Sequence, residues 1–266
     1  MATPFKMALS LLVGWLADRK VPKGMRGFVY RGYAKVTGAK VEESRGPLDI
    51  YPSLGAFFIR ELVAGARTIV EDPELIPSPV DGTFQSICKI TEGSVVQAKG
   101  RNYPIRELLG GVGKNVELEG GHAWTVYLSP RDYHRIHCPE NARLTTARWF
   151  AGARHSVAPK VLEKRQVLSV NERAVLQLDT ERGPLFLVLV GALNVGRIRV
   201  VGVPRRADAP LGKGKEFARG AELARFEMGS TIVLVSPPGG LEPLESTKEK
   251  QTIKMGDALA RWSAKG

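Results

Sequence analysis

The feature that most constrains this chain is a change of texture near residue 80. Before it, apolar residues recur at helical spacing. After Pro73 and the Pro-Ser-Pro punctuation at 77–79, they come in short runs cut by Gly and Pro. Runs read as strands lie at 84–90, 123–129, 142–150, 174–179, 185–192, 197–202, 222–227 and 231–235. Several are almost continuously apolar, which suits strands buried on both faces between packed layers. The tail at 252–263 is expected to close the sheet. The pattern predicts an α+β fold, with N-terminal helices followed by a mainly antiparallel β-sandwich or barrel-like domain. With 266 residues and 43% hydrophobic content, the chain can bury a substantial core. The expected division is a helical segment at 1–66 and a mainly β domain at 67–266.

The helical part carries its own signal. Residues 5–17 place Phe5, Leu9, Leu12 and Leu16 on one stripe, and 53–66 places Leu54, Phe57, Phe58 and Leu62 on another, with Ser53 as N-cap. The first 40 residues hold eight Lys or Arg against the single acid Asp18, interleaved with Trp15, Phe28, Tyr30 and Tyr33. A short apolar helix followed by cations and aromatics suits a segment lying in a lipid interface. The competing reading is a helix packed on the protein's own core beside solvated charges.

The whole chain has a formal net charge of +12, which attracts polyanions, either nucleic acid or anionic lipid. No zinc-finger spacing and no aromatic RNA-binding strand pair is present, so nucleic acid is not expected as a partner. Cys88 and Cys138 are the only cysteines and form no CxxC, which fits a reducing, cytoplasmic setting. No apolar run reaches the roughly 18–20 residues of a membrane span, and no small-residue cleavage site follows the N-terminal apolar stretch. Apolar content of this order permits a homodimer.

Three constellations could carry chemistry. His134 and His137 sit in RDYHRIHCP (131–139), directly after a predicted strand. Such a pair could bind metal, move protons or be structural; metal would need further ligands that no spacing recruits, so none is expected. Asp81 lies in SPVDGTF, where Asp-Gly alone reads as turn chemistry. Ser230 lies in FEMGSTIVLV, at the start of an apolar run. An Asp, a His and a Ser in separate segments are the raw material of a nucleophile triad. Sequence alone does not bring them together.

Taken jointly, these segments resemble the bacterial phosphatidylserine decarboxylases. The similarity runs through FFIRELVAGAR (57–67), SPVDG (78–82), DYHRIHCP (132–139), VNERAV (170–175), VLVGALNVGRI (188–198) and KGKEFARGAELARFEMGST (213–231), in order and in spacing. Met228 stands where that family usually has Leu, and the first 50 residues match only in being helical, basic and apolar. The resemblance implies a pyruvoyl-dependent, self-processing carboxy-lyase on the cytoplasmic face of the cell membrane, held peripherally at an anionic surface.

Cutting would fall between Gly229 and Ser230, leaving a β chain of 1–229 associated with an α chain of 230–266. Ser230 Oγ would attack the preceding carbonyl, and Gly229 permits the strained backbone this needs. Elimination from the resulting ester, then hydrolysis, would leave the pyruvoyl cofactor and ammonia. His137 would act as the base on Ser230, with Asp81 orienting it. The pyruvoyl carbonyl would form a Schiff base with phosphatidylserine and act as electron sink as CO2 departs. His134 would then return a proton to the former α carbon, giving phosphatidylethanolamine. The two histidines could exchange these roles.

Three other readings compete. One is a Ser/His/Asp hydrolase with intact Ser230, although no G-x-S-x-G elbow surrounds that residue. Another is a non-catalytic basic binding module. The third is a pyruvoyl decarboxylase of a soluble amino acid, which gives no reason for a lipid-facing N-terminus.

Overall fold

The computed structural model describes residues 17–98, 101–192, 198–204, 210–227 and 230–264. The helical stripe read at 5–17 therefore lies outside the described residues, apart from Ala17. The helices are α1 (Lys23–Thr37), α2 (Leu54–Phe58), α3 (Ile105–Leu109) and α4 (Pro159–Leu162). The first strands are β1 (Leu75–Pro77), β2 (Gly82–Lys89), β3 (Ser94–Ala98), β4 (Arg101–Pro104), β5 (His122–Leu128) and β6 (Arg135–His137). The middle strands are β7 (Ala142–Phe150), β8 (Arg173–Thr180), β9 (Gly183–Gly191), β10 (Ile198–Val200) and β11 (Pro210–Phe217). The last are β12 (Glu222–Phe226), β13 (Ser230–Ser236), β14 (Leu241–Pro243), β15 (Thr252–Ile253) and β16 (Ala258–Trp262).

One eight-stranded antiparallel sheet, in the order β11-β7-β8-β9-β13-β5-β2-β15, organises the molecule. Alternation along its central strands feeds two apolar layers. Ile232 and Leu234 of β13 join Leu185, Leu187 and Leu189 of β9 on one face, while Val233 and Val235 join Phe186, Val188 and Val190 on the other. The first face is covered by two three-stranded sheets, β10-β12-β6 and β1-β16-β14. The second is covered by the β3-β4 hairpin with α3 and α4. Burial on both faces explains the continuous apolar runs, since each fully buried Val, Leu or Ile side chain contributes about 1.5–3 kcal/mol.

The α+β expectation holds, with antiparallel layers and no closed barrel among the described residues. The tail divides: β15 extends the large sheet at its β2 edge, whereas β16 sits at the centre of a separate small sheet.

The helix read at 53–66 is shorter than its periodicity suggests. Ser53 does cap α2, accepting a hydrogen bond from Ala56 N–H at 3.1 Å, but the helix ends at Phe58. Beyond it, Glu61 and Val63 exchange backbone hydrogen bonds with Arg45 and Glu43, forming a bridge between Ser44 and Leu62. Tertiary pairing outweighs the modest preference of a short helix for its own continuation. The N-terminal region has a small core of its own. Tyr30 of α1 stacks on Phe57 at 4.9 Å and donates its hydroxyl to Tyr51 O at 2.7 Å.

Candidate active site

Ser230 is the first residue of β13, a central strand of the large sheet, opposite Leu128 of β5 and Gly191 of β9. It is wholly buried and, among the described residues, its Oγ has no hydrogen-bond partner; the same holds for Thr231 Oγ1, the next residue. A buried hydroxyl without a partner forgoes roughly 1–3 kcal/mol of hydrogen bonding, so its place in a central strand calls for a reason other than stability. Gly229, the other half of the expected cutting site, lies outside the described residues.

The two histidines flank and end β6, which pairs with β12, the strand that leads to Ser230. The sequence pattern leaves this pair in a loop; in the structure Arg135–His137 is a strand held by Glu222–Arg225. His134 O accepts from Phe226 N–H at 3.0 Å, while His137 pairs with Glu222. Their partners are four positions apart, about 13 Å along β12, with His134 on the Ser230 side. Alternation sends the histidines to opposite faces: His134 is buried with Ile136, while Arg135 and His137 are only partly covered.

Both rings are held in one tautomer. His134 Nδ1–H donates to Asp132 O at 2.8 Å, and His137 Nδ1–H donates to Gly220 O at 2.7 Å. Nε2 is therefore the lone-pair nitrogen in each neutral ring. They differ in what that nitrogen meets. His137 Nε2 accepts the Tyr133 hydroxyl at 3.1 Å, whereas His134 Nε2 is buried with no partner among the described residues. Complete burial lowers the His134 pKa to about 3, against the pull of its Asp132 hydrogen bond, with Arg60 adding a smaller push in the same direction. Burial also lowers that of His137. His134 thus stays neutral at physiological pH. The Phe58 ring packs against it at a tilt of 41°, centroids 3.9 Å apart, confining the ring from the α2 side.

Asp81 follows β1 and precedes β2. Gly82 lets the chain pass close to β5 there, since an added Cβ would lie 2.5 Å from Tyr127 O. The Asp81 carboxylate is fully engaged. It accepts Met255 N–H at 2.8 Å and Arg67 Nε–H at 2.9 Å, with a second Arg67 contact through Nη2. Arg67 in turn reaches Glu43 at 2.9 Å. Burial works against the Arg67 charge, but bonds from Asp81 and Glu43 outweigh it and raise its pKa. The structure thus brings His134 toward the Ser230 end of β12 and gives Asp81 an arginine partner rather than a histidine.

Several participants carry no signal of their own in the sequence. Arg67, Phe58 and Arg60 lie in FFIRELVAGAR and Tyr133 in DYHRIHCP, but their partners are distant in the chain. Gly220 has φ near +80°, and an added Cβ would lie 2.1 Å from Ile69 Cδ1, so a glycine there keeps the carbonyl on His137. Among the described residues, no three His, Cys, Asp or Glu side chains gather as a metal site.

The sequence model of the phosphatidylserine decarboxylase family matches residues 54–261. A phosphatidylserine decarboxylase proenzyme from Marinobacter nauticus is 35% identical, the match covering 98% of this chain and 95% of that protein. Proenzymes of the same description from Nitrosococcus oceani and Myxococcus xanthus are 36% and 35% identical, covering 89% and 96% of this chain and 82% and 94% of theirs.

Proposed function

The chain belongs to the phosphatidylserine decarboxylase family, and from that premise we propose that it converts phosphatidylserine to phosphatidylethanolamine and CO2 with a pyruvoyl group made from its own Ser230. The observation that carries this reading is the buried, unpartnered Ser230 Oγ at the head of a central strand. A residue that must lose its hydroxyl should not depend on a hydrogen bond to keep it. A pyruvoyl group at this position supplies an electrophilic carbonyl that captures the substrate amine and takes up the electron pair released with CO2.

The chain's own residues do the rest. Ser230 Oγ is the nucleophile of processing, which gives chains 1–229 and 230–266. His134 handles protons at position 230, because its Nε2 lone pair is neutral, buried and uncommitted. Returning a proton to the former α carbon is the step such a nitrogen suits once it has been charged. His137 is the base assigned to processing, with Asp81 as its charge partner. His137 lies on the opposite face of β6 from His134 and about 13 Å along β12 from the Ser230 end. To serve Ser230, its strand must shift as well as the Tyr133 hydroxyl leave Nε2, and Asp81 must act through its field rather than by contact.

The protein works at an anionic membrane surface, peripherally and from the cytoplasmic side. Met25, Phe28 and Val36 of α1 are 54%, 80% and 87% exposed and share one helical face, opposite the buried Tyr30. Arg31 and Lys35 border that apolar face, an arrangement suited to acyl chains below and headgroup phosphates around. No helix among the described residues is long and apolar enough to cross a membrane.

The test is CO2 release from carboxyl-labelled phosphatidylserine in vesicles, by the purified chain and by Ser230→Ala. Release by the first and none by the second supports the reading. Release by Ser230→Ala would overturn it.

A further inference from the structure

Arg60 follows α2 and is only 2% exposed, yet among the described residues its Nε and Nη1 have no hydrogen-bond partner. Its one polar contact among the described residues is a long one, Nη2–H to Arg131 O at 3.3 Å. Its other neighbour is the Phe57 ring, 5.1 Å from the guanidinium carbon. Among the described residues no carboxylate lies within ion-pair distance of it. Guanidinium does not shed its proton in proteins, so this is a buried charge without a counter-ion, which costs several kcal/mol.

The surroundings indicate what would supply the counter-ion. Arg60 lines a cavity of about 470 Å³ together with Arg45, Arg135, Tyr51, Ile50 and Glu61. Glu61 is the only acid in the lining, and it is already bound at 2.6 Å by Arg45 and at 3.1 Å by Arg135. Arg135 is also held by Glu222 at 2.6 Å, so Arg45, Arg60 and Arg135 outnumber their two acids and the cavity keeps a net positive character. Its size falls in the range of small-ligand sites. It also adjoins the candidate active site. Phe58 packs against the His134 ring, and Arg135 Nε–H donates to Ile59 O at 3.0 Å, so Phe58–Arg60 is laced onto the segment bearing His134.

We propose that Arg60 and this cavity bind the phosphodiester of the phospholipid substrate, an inference that rests on the decarboxylase reading above. The substrate has two anions, and the chemistry distinguishes them. A cation clasping the carboxylate would stabilise the ground state of the group that must leave as neutral CO2, and would oppose the reaction. The phosphodiester keeps its charge from substrate to product, so its contact with Arg60 contributes equal binding throughout. The planar guanidinium fork, with two N–H groups unused, matches two phosphate oxygens. Ile50, 53% exposed at the cavity wall, leaves an apolar side for the glycerol end of the lipid.

The experiment compares the purified full-length chain with Arg60→Gln and Arg60→Lys in mixed micelles of phosphatidylserine. Arg60→Gln is expected to be cut as the parent is, to raise KM at least tenfold, and to change kcat less than twofold. Inhibition by glycerophosphoglycerol, a soluble phosphodiester without a carboxylate, should weaken by a similar factor. Inhibition by N-acetylserine, a carboxylate without phosphate, should not change. Arg60→Lys should fall between, since it keeps the charge and loses the fork.

Without ligand, Arg60→Gln should melt no lower than the parent, because it removes an unpaired buried charge; a merely structural arginine would lower the melting temperature. A fall in kcat with KM and phosphodiester inhibition unchanged would overturn the proposal. So would lost N-acetylserine inhibition with intact phosphodiester inhibition. Should Arg60→Gln not fold, the lysine variant decides on the same readings. Should the parent neither be cut nor release CO2, the function reading fails, while protection of the parent from thermal unfolding by glycerophosphoglycerol, and its loss in Arg60→Lys, still tests the site.

Discussion

Two buried polar clusters lie within this protein, and they are built in opposite ways. Around Asp81 every donor and acceptor is matched: Glu43, Arg67, the Asp81 carboxylate and Met255 N–H form one connected chain of bonds. At the other, where β5 gives way to β6 and β12 to β13, Nε and Nη1 of Arg60, Nε2 of His134 and Oγ of Ser230 are buried without partners among the described residues. Unpartnered buried atoms also occur at Ser44, Ser86, Tyr103, Trp124, Thr145 and Arg225, and at Thr231 on the face of β13 opposite Ser230. A saturated network specifies geometry, because each member holds its neighbours. An unsaturated one is paid for by the rest of the fold and makes sense only where a reaction or a ligand completes it. The contrast separates a scaffold from a workplace within one domain.

The largest effect should come from the unsaturated cluster. Ser230→Ala removes the nucleophile, and a single uncut chain with no decarboxylation is expected on gel and in the CO2 assay. His134→Ala should still be cut but lose about 10²–10⁴-fold in turnover, the usual worth of a positioned acid or base. A fully active His134→Ala enzyme would erase the distinction drawn here.

The saturated cluster should answer through stability first. Asp81→Asn leaves Arg67 with one acidic partner and should cost about 3 kcal/mol in denaturant unfolding, as breaking a buried pair does. It should also slow cutting, as should His137→Ala. The double change Arg67→Met with Asp81→Asn separates these effects. If Asp81 acts on His137 through its field, stability should recover while cutting stays slow; if both recover, Asp81 is scaffold alone.

A smaller signal is the pH dependence of folding. The folded His134 takes a proton only near pH 3, whereas the unfolded residue does so near 6.5. Above pH 6.5 neither form binds the proton and the residue has no effect. As pH falls below 6.5 the unfolded chain gains protons that the folded one refuses. Stability should then drop by up to about 1.4 kcal/mol per pH unit from this group, until pH nears 3. His134→Gln should flatten that part of the profile. The smallest effect should be Phe28→Ser on α1, which weakens sedimentation with anionic vesicles severalfold without changing cutting.

Much of the scaffold was legible in the sequence. The apolar runs at 123–129, 185–192 and 231–235 correspond to β5, β9 and β13, because strands buried on both faces are apolar at most positions. The short strands β1, β6 and β14 were not legible: three residues held by a distant partner carry no periodicity. Helix α2 was overestimated because the pairing of Glu61 and Val63 with residues 43–45 is non-local. At the site, Ser230, His134, His137 and Asp81 stood out by residue type and motif. Their partners did not. That Asp81 meets Arg67 and that Arg60 is buried unpaired depends on how residues 43–67 wrap against the sheet, which no local pattern encodes.

The most direct test of the account is the intact mass of the purified protein under denaturing conditions. The account predicts two chains meeting between Gly229 and Ser230, the smaller one lighter by one ammonia than a chain beginning with serine. A single full-length mass from a preparation that releases CO2, or a smaller chain that retains its serine, would contradict it.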